Sequence, residues 1–169
     1  MTALAGSILA RLPEAQALYH RLVLVVGSAG TGKTEALQTL AAEKGWPRVN
    51  VNLHLAERLL ELTQKQRAIR TAIILDDLVR GCGSDVVLLD NLEILFAPQL
   101  AQDPLRLLQG ISRNQSLVAV WPGSYDGAVL TYAEPCHPEA KRYSNPGALI
   151  VMADSTTAPA GRARQKEAA

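Results

Sequence analysis

Apolar positions along this chain fall into two patterns. Short unbroken or alternating runs, rich in β-branched residues, mark strands, and positions that recur every three or four residues mark helices. The runs are Leu22–Val26 (LVLVV), Arg48–Leu53 (RVNVNL), Val86–Asp90 (VVLLD), Leu117–Trp121 (LVAVW) and Ala148–Met152 (ALIVM). Helical spacing appears at residues 3–19, through Leu4, Ile8, Leu12 and Leu18. It returns from Thr34 to Lys44, with Leu37, Leu40 and Ala41 on one face and Gly45 and Pro47 as stops. Further helices are predicted at Ala56–Leu62, Thr71–Val79 and Pro104–Ser112. The polar stretch Thr63–Arg70 separates the first two of these, and Gly81-Cys82-Gly83-Ser84 ends the second. Leu92–Phe96 reads as an apolar continuation into a loop at Pro98. Ser124–Gly147 is polar and Pro-rich with weak signals for either element, and Asp154–Ala169 has the composition of a disordered tail. The reading is therefore one domain over residues 1–153 and a tail over 154–169.

Strands that alternate with helices require crossover connections, hence a parallel sheet of about five strands with helices on both faces. Ligands of such sheets sit beyond the carboxyl ends of the strands. The first strand ends in chemistry. Gly27-Ser28-Ala29-Gly30-Thr31-Gly32-Lys33-Thr34 has the G-x-x-x-x-G-K-[ST] spacing of a phosphate-binding P-loop. Backbone N–H groups in a tight Gly-rich turn can converge on one anion, and the helix that follows aims its positive end at the same point. In that reading Lys33 reaches the β/γ-phosphates of ATP and the Thr34 hydroxyl holds Mg²⁺. The alternative is a Gly-rich strand-to-helix turn that binds nothing.

The third run supplies a partner. Asp90 follows four apolar residues, the form of the acid that holds the magnesium shell opposite the Thr hydroxyl. One strand intervenes between the P-loop and this acid, an arrangement similar to AAA+ and RecA-type ATPases. That resemblance implies a three-layer P-loop NTPase fold with strand order 5-1-4-3-2, and the length leaves no room for an added helical lid domain. Those ATPases place a water-polarising Glu directly after the Asp; here the position is Asn91, with Glu93 two residues on. An amide orients water without taking its proton, so slow intrinsic hydrolysis is expected. Glu93 serves if the chain turns at Asn91, and is otherwise a solvated loop carboxylate. Ser124, after the fourth strand, is either a γ-phosphate sensor or a loop hydroxyl. Arg113 is either an arginine finger acting on a neighbouring subunit or a solvated charge, and Arg106 reads as a surface charge.

Composition narrows the partners. Over 169 residues the net charge is +1 and aromatic residues make up 4%, so neither a nucleic-acid charge balance nor a base-stacking platform is indicated. No apolar run approaches the ~20 residues of a membrane span, and the N-terminus lacks a signal-peptide pattern, so a cytoplasmic protein is expected. Cys82 and Cys136 then read as free thiols, and Cys136-His137 lacks the second ligand pair of a zinc site.

Three longer strings are more specific than any of these motifs: GWPRVNVNLHLAERLLEL, DVVLLDNLEILFAPQLAQDPLRLLQGISRN and VAVWPGSYDGAVLTYAEPCHPE. They resemble the BrxF family, small P-loop proteins of type 3 BREX phage-defence systems in bacteria, over about Leu22 to Tyr143. The resemblance implies work alongside other BREX components, including a DNA methyltransferase and larger ATPases, with Gly27–Thr34 on nucleotide phosphates and Asp90 on magnesium. It implies no chemical step for this subunit. The expected function is an ATP-binding subunit of slow or partner-dependent hydrolysis that switches complex assembly, with homo-oligomers as one form of that assembly. Two rivals stand beside it. A small-molecule kinase would need a mobile basic lid, for which Arg67 and Arg70 or Lys141 and Arg142 are the candidates. A non-catalytic scaffold would keep the P-loop as a nucleotide-stabilised element. Ser124–Gly147, with Tyr125, Tyr132 and Tyr143, is either a partner surface or a loop packed on the core.

Overall fold

In the computed structural model, which describes residues 1–132 and 140–153, β1 (Leu22–Val26) is buried along its whole length. A strand buried on both faces needs helices above and below it. On one side lie α1 (Ala3–Gln16) and α2 (Lys33–Lys44), packed through Leu4, Ile8, Leu12, Leu37 and Leu40 on Val23 and Val25. On the other lie α3 (Val51–Leu59), α4 (Gln64–Gly81) and α5 (Pro104–Ile111), packed on Leu22, Leu24 and Val26. Strand residues alternate between the two cores, as a period of two requires.

The remaining strands of the main sheet are β2 (Arg48–Asn50), β3 (Val86–Asp90), β4 (Ser116–Trp121) and, after three intervening short strands, β8 (Leu149–Met152). All four pairings are parallel. The order is β2-β3-β4-β1-β8. By chain number this departs from 5-1-4-3-2, because the strand beside β1 is the eighth. The cause is an unforeseen second sheet, antiparallel, of β5 (Ser124–Tyr125), β6 (Val129–Tyr132) and β7 (Lys141–Ser144).

That second sheet occupies the stretch read as irregular or as a partner surface. Phe96 stacks on Tyr132 with ring centroids 3.9 Å apart, and Trp121 meets Phe96 and Tyr143 edge-on at 5.1 and 5.8 Å. Tyr125, Tyr132 and Tyr143 all pack against the main core. The Tyr143 hydroxyl donates to Asp103 Oδ1 at 2.9 Å. Burial, and then the Asp103 carboxylate, push the Tyr143 pKa well above its ordinary value. The folded state therefore holds this proton more tightly than the unfolded state does. Its contribution is complete below pH ~10 and is lost as pH rises beyond that. Tyr143→Phe should remove that share of the alkaline fall in stability, read as a shallower decline of melting temperature between pH 9.5 and 11.

Helix boundaries follow side-chain caps. Arg48–Leu53 is a strand only to Asn50, because the Asn50 side chain accepts the Leu53 N–H at 3.0 Å and starts α3 there. The expected Ala56–Leu62 helix thus runs earlier, over Val51–Leu59. Thr63 and Gln66 form a reciprocal capping box, so α4 absorbs the polar stretch Gln64–Arg70. Leu92–Phe96 closes into a single 3₁₀ turn over Glu93–Phe96 rather than continuing extended. Cys136-His137 and the tail from Asp154 lie outside the described residues.

Candidate functional site

β1, β3 and β4 end side by side, and a cleft of about 730 Å³ opens beyond their carboxyl ends. Gly27, Ser28, Ala29, Gly30, Gly32, Lys33 and Thr34 line one wall. Asp90, Asn91 and Glu93 face them, with Val120, Pro122 and Gly123 contributed by the end of β4. Gly30 and Gly32 have φ of 80° and 83°, left-handed values that side chains resist, and Gly32 immediately precedes the first residue of α2. The loop is thus held in the turn that leads its backbone into a helix N-terminus. Thr31 is not on the wall; its hydroxyl donates to the Ser28 carbonyl at 2.7 Å and braces the loop from behind. The Lys33 ammonium donates to the Gly27 and Ser28 carbonyls, both at 2.6 Å, and to Thr31 Oγ1 at 3.3 Å.

Across the cleft, the Thr34 hydroxyl donates to Asp90 Oδ1 at 3.3 Å, joining residues 56 positions apart. Asp90 is buried, with 1% of its surface exposed. Its carboxylate also accepts the Asn91 N–H at 2.9 Å on Oδ1 and Arg48 Nη1 at 3.2 Å on Oδ2. A buried carboxylate needs such donors, and here they come from α2, from β2 and from the backbone just after β3.

Asn91 has φ of 55° and turns the chain out of strand geometry. Asn tolerates this left-handed conformation better than most residues. The turn brings Glu93 onto the cleft, at the start of the 3₁₀ segment. The Asn52 side chain fixes that segment twice: its Nδ2 donates to Glu93 Oε1 at 3.0 Å and its Oδ1 accepts the Ile94 N–H at 2.7 Å.

Other predicted residues are not gathered here. Arg113 lies beyond the opposite, amino-terminal edge of the sheet, its guanidinium 4.8 Å from the centre of the Tyr19 ring. Arg106 is exposed and pairs with Asp103. Ser124 points into the small sheet, hydroxyl to hydroxyl with Thr131 at 2.7 Å. Of the basic lid candidates, Arg67 is tied to the carbonyls of Leu59, Leu60 and Leu62, while Arg70 is exposed on α4 and Lys141 and Arg142 belong to β7.

Arg48 and Asn52 escaped the sequence reading, which saw only an alternating strand. The usable signal is strand register: with β2 beside β3 and Asn50 paired with Asp90, Arg48 stands two residues earlier on the same face, within reach of that carboxylate. Burial pushes the Cys82 thiol pKa up, as suits an unreactive cysteine. Among the described residues no group of three or more His, Cys, Asp or Glu could hold a metal, and no helix is long and apolar enough to cross a membrane.

No protein-family model matches the chain, and no curated protein matches it. Among solved structures, the chain is similar to the one described as "Structure of C. elegans PCH-2", at 20% identity and a TM-score of 0.38. The match covers 74% of this chain and 37% of that one, so the chain spans well under half of that protein's length. By its own strand pairing, the chain is an α/β protein with a parallel central sheet, helices on both faces and a small antiparallel sheet beside it.

Proposed function

We propose that this chain is a nucleotide-binding P-loop protein that takes ATP with Mg²⁺ in the cleft between Gly27–Thr34 and Asp90. The observation that carries the reading is the Thr34–Asp90 contact. Two residues of the types needed for a magnesium site, distant in sequence, converge at the mouth of a Gly-rich loop that opens a helix. The donor set suits a hard cation: a hydroxyl and a carboxylate, both oxygen ligands. Thr34 and Asp90 would hold the ion, which when bound supplies charge neutralisation to the phosphates. The loop N–H groups and the start of α2 would bind the phosphates. Lys33 would exchange its loop carbonyls for phosphate oxygens.

Hydrolysis by this site alone is expected to be slow. Asn91 orients water without accepting its proton, and Glu93, the nearest carboxylate able to do so, is hydrogen-bonded to Asn52. A partner that separates Glu93 from Asn52 would free the base. The likeness of the three strings to the BrxF family supports a reading in which BREX components are that partner and the protein works in phage defence in the cytoplasm. The test is ATP turnover by the purified chain, alone and with the other BREX components and DNA. Turnover should be far below 1 per second alone, below the common enzyme range of about 1–10³ per second, and should rise at least tenfold with the partners. Unaided turnover on the order of tens per second would exclude the slow, partner-dependent reading.

A further inference from the structure

Resting on the nucleotide reading above, we infer that Arg48 is a cationic occupant of the magnesium-site carboxylate, which the metal must displace or tolerate. The Arg48 guanidinium is the donor to Asp90 Oδ2, while Thr34 and the Asn91 N–H use Oδ1. Both carboxylate oxygens are therefore engaged before any metal arrives. The pair is asymmetric: the Asp90 side chain is 2% exposed, that of Arg48 32%. A charge pair with one partner buried is screened less than a surface pair, so Arg48 is felt at the site. Mg²⁺ held by Asp90, directly or through its waters, would compete with Arg48 for the acceptor capacity and the charge of that carboxylate. It also brings two positive charges to a place that already holds one.

The position of Arg48 permits the exchange. β2 is the edge strand of the sheet, and Arg48 is its first residue, in register with Leu88, two positions before Asp90. From there the guanidinium can leave Asp90 for solvent without disturbing the core. Arg48 thus acts through Asp90: it balances the buried carboxylate in the metal-free state and raises the Mg²⁺ concentration at which the nucleotide complex takes its metal. It is a positioning residue that sets the metal threshold of the site.

The test is a Mg²⁺ titration of the full chain saturated with fluorescent ADP, starting in EDTA-washed buffer, with melting temperature read in parallel. Removing one positive charge beside a divalent ion should lower the Mg²⁺ midpoint by about tenfold in Arg48→Met. Arg48→Lys, which keeps the charge, should stay within about threefold of wild type. Without metal, Arg48→Met should melt below wild type, since Asp90 has lost its cation, and Mg²⁺ with ADP should narrow that gap. Should Arg48→Met fail to fold, Arg48→Gln keeps a donor for Asp90 without the charge and should show the same lowered midpoint. An unchanged or higher midpoint in the uncharged variants would overturn the assignment. So would a loss of ADP affinity in EDTA, which would make Arg48 a phosphate ligand instead. Wild type that binds no ADP with or without Mg²⁺ would remove the nucleotide reading itself, and this inference with it.

Discussion

Gly123→Ala should cost about 3 kcal/mol or more, a melting-temperature drop of about 10 °C for a chain of this length. A Cβ on Gly123 would lie 1.8 Å from the Thr131 carbonyl oxygen and 2.9 Å from both the Thr131 carbonyl carbon and Trp121 Nε1. The first two are backbone atoms, and the third belongs to a fully buried indole that donates to that same Thr131 oxygen at 3.0 Å. None is the free end of a flexible side chain. The clash therefore must move β6 away from the end of β4, and with it the Trp121–Phe96–Tyr132–Tyr143 cluster that fastens the small sheet to the core. Gly123 also lines the cleft, so nucleotide affinity should fall together with stability. A melting temperature within about 2 °C of wild type would mean that this close approach is not needed.

Lys33→Ala should weaken ATP binding by about a hundredfold or more and leave the protein folded. The ammonium is the one cation on the P-loop wall of the cleft, and charge-assisted hydrogen bonds to phosphate contribute about 1.5–3 kcal/mol each. Its partners include carbonyls and a hydroxyl of the loop itself, and it is not a core residue, so truncation takes little from the core. The same variant separates binding from scaffolding. If the protein protects cells from phage, protection lost by a folded Lys33→Ala chain ties it to nucleotide. Protection retained would support the scaffold.

The residues that met in the cleft were legible in the sequence to the degree that backbone chemistry places them. An apolar, β-branched run that enters a Gly-rich turn reads as a buried strand feeding a helix, and after such a loop VVLLD reads as a buried strand that delivers an acid to the same edge. Less legible were features decided by one side chain against a distant backbone. Asn50 ends β2 by capping α3, where period-two alternation pointed to a longer strand. The Thr63-x-x-Gln66 capping box was present to be read, yet the polar run it opens looks like a linker until the helix behind it is extended forward. β5, β6 and β7 are two to four residues long and half exposed, too short for alternation to register, and they are held by aromatic contacts with Phe96 and Trp121. Arg113 shows the reverse case. Its place just before a strand is clear from the sequence, but the start of a parallel strand faces away from the ligand edge.

At the site, the same contrast separates Glu93 from Arg48. Glu93 reaches the cleft because Asn91 adopts a left-handed turn, a conformation that asparagine suggests without dictating. Arg48 reaches Asp90 through strand register, which pairs Asn50 with Asp90 and brings the long Arg48 side chain alongside. Neither contact has a local sequence signature, and both bear on how fast and with what metal requirement the site would act.

The most direct measurement is a calorimetric titration of the wild-type chain with ATP and, separately, with adenosine, each in the presence of Mg²⁺. A phosphate-binding loop predicts a saturable single site for ATP and affinity for adenosine weaker by at least a hundredfold, because the loop amides, Lys33 and the start of α2 would all address the phosphates. ATP that binds no more tightly than adenosine, or not at all at millimolar concentration, would contradict it.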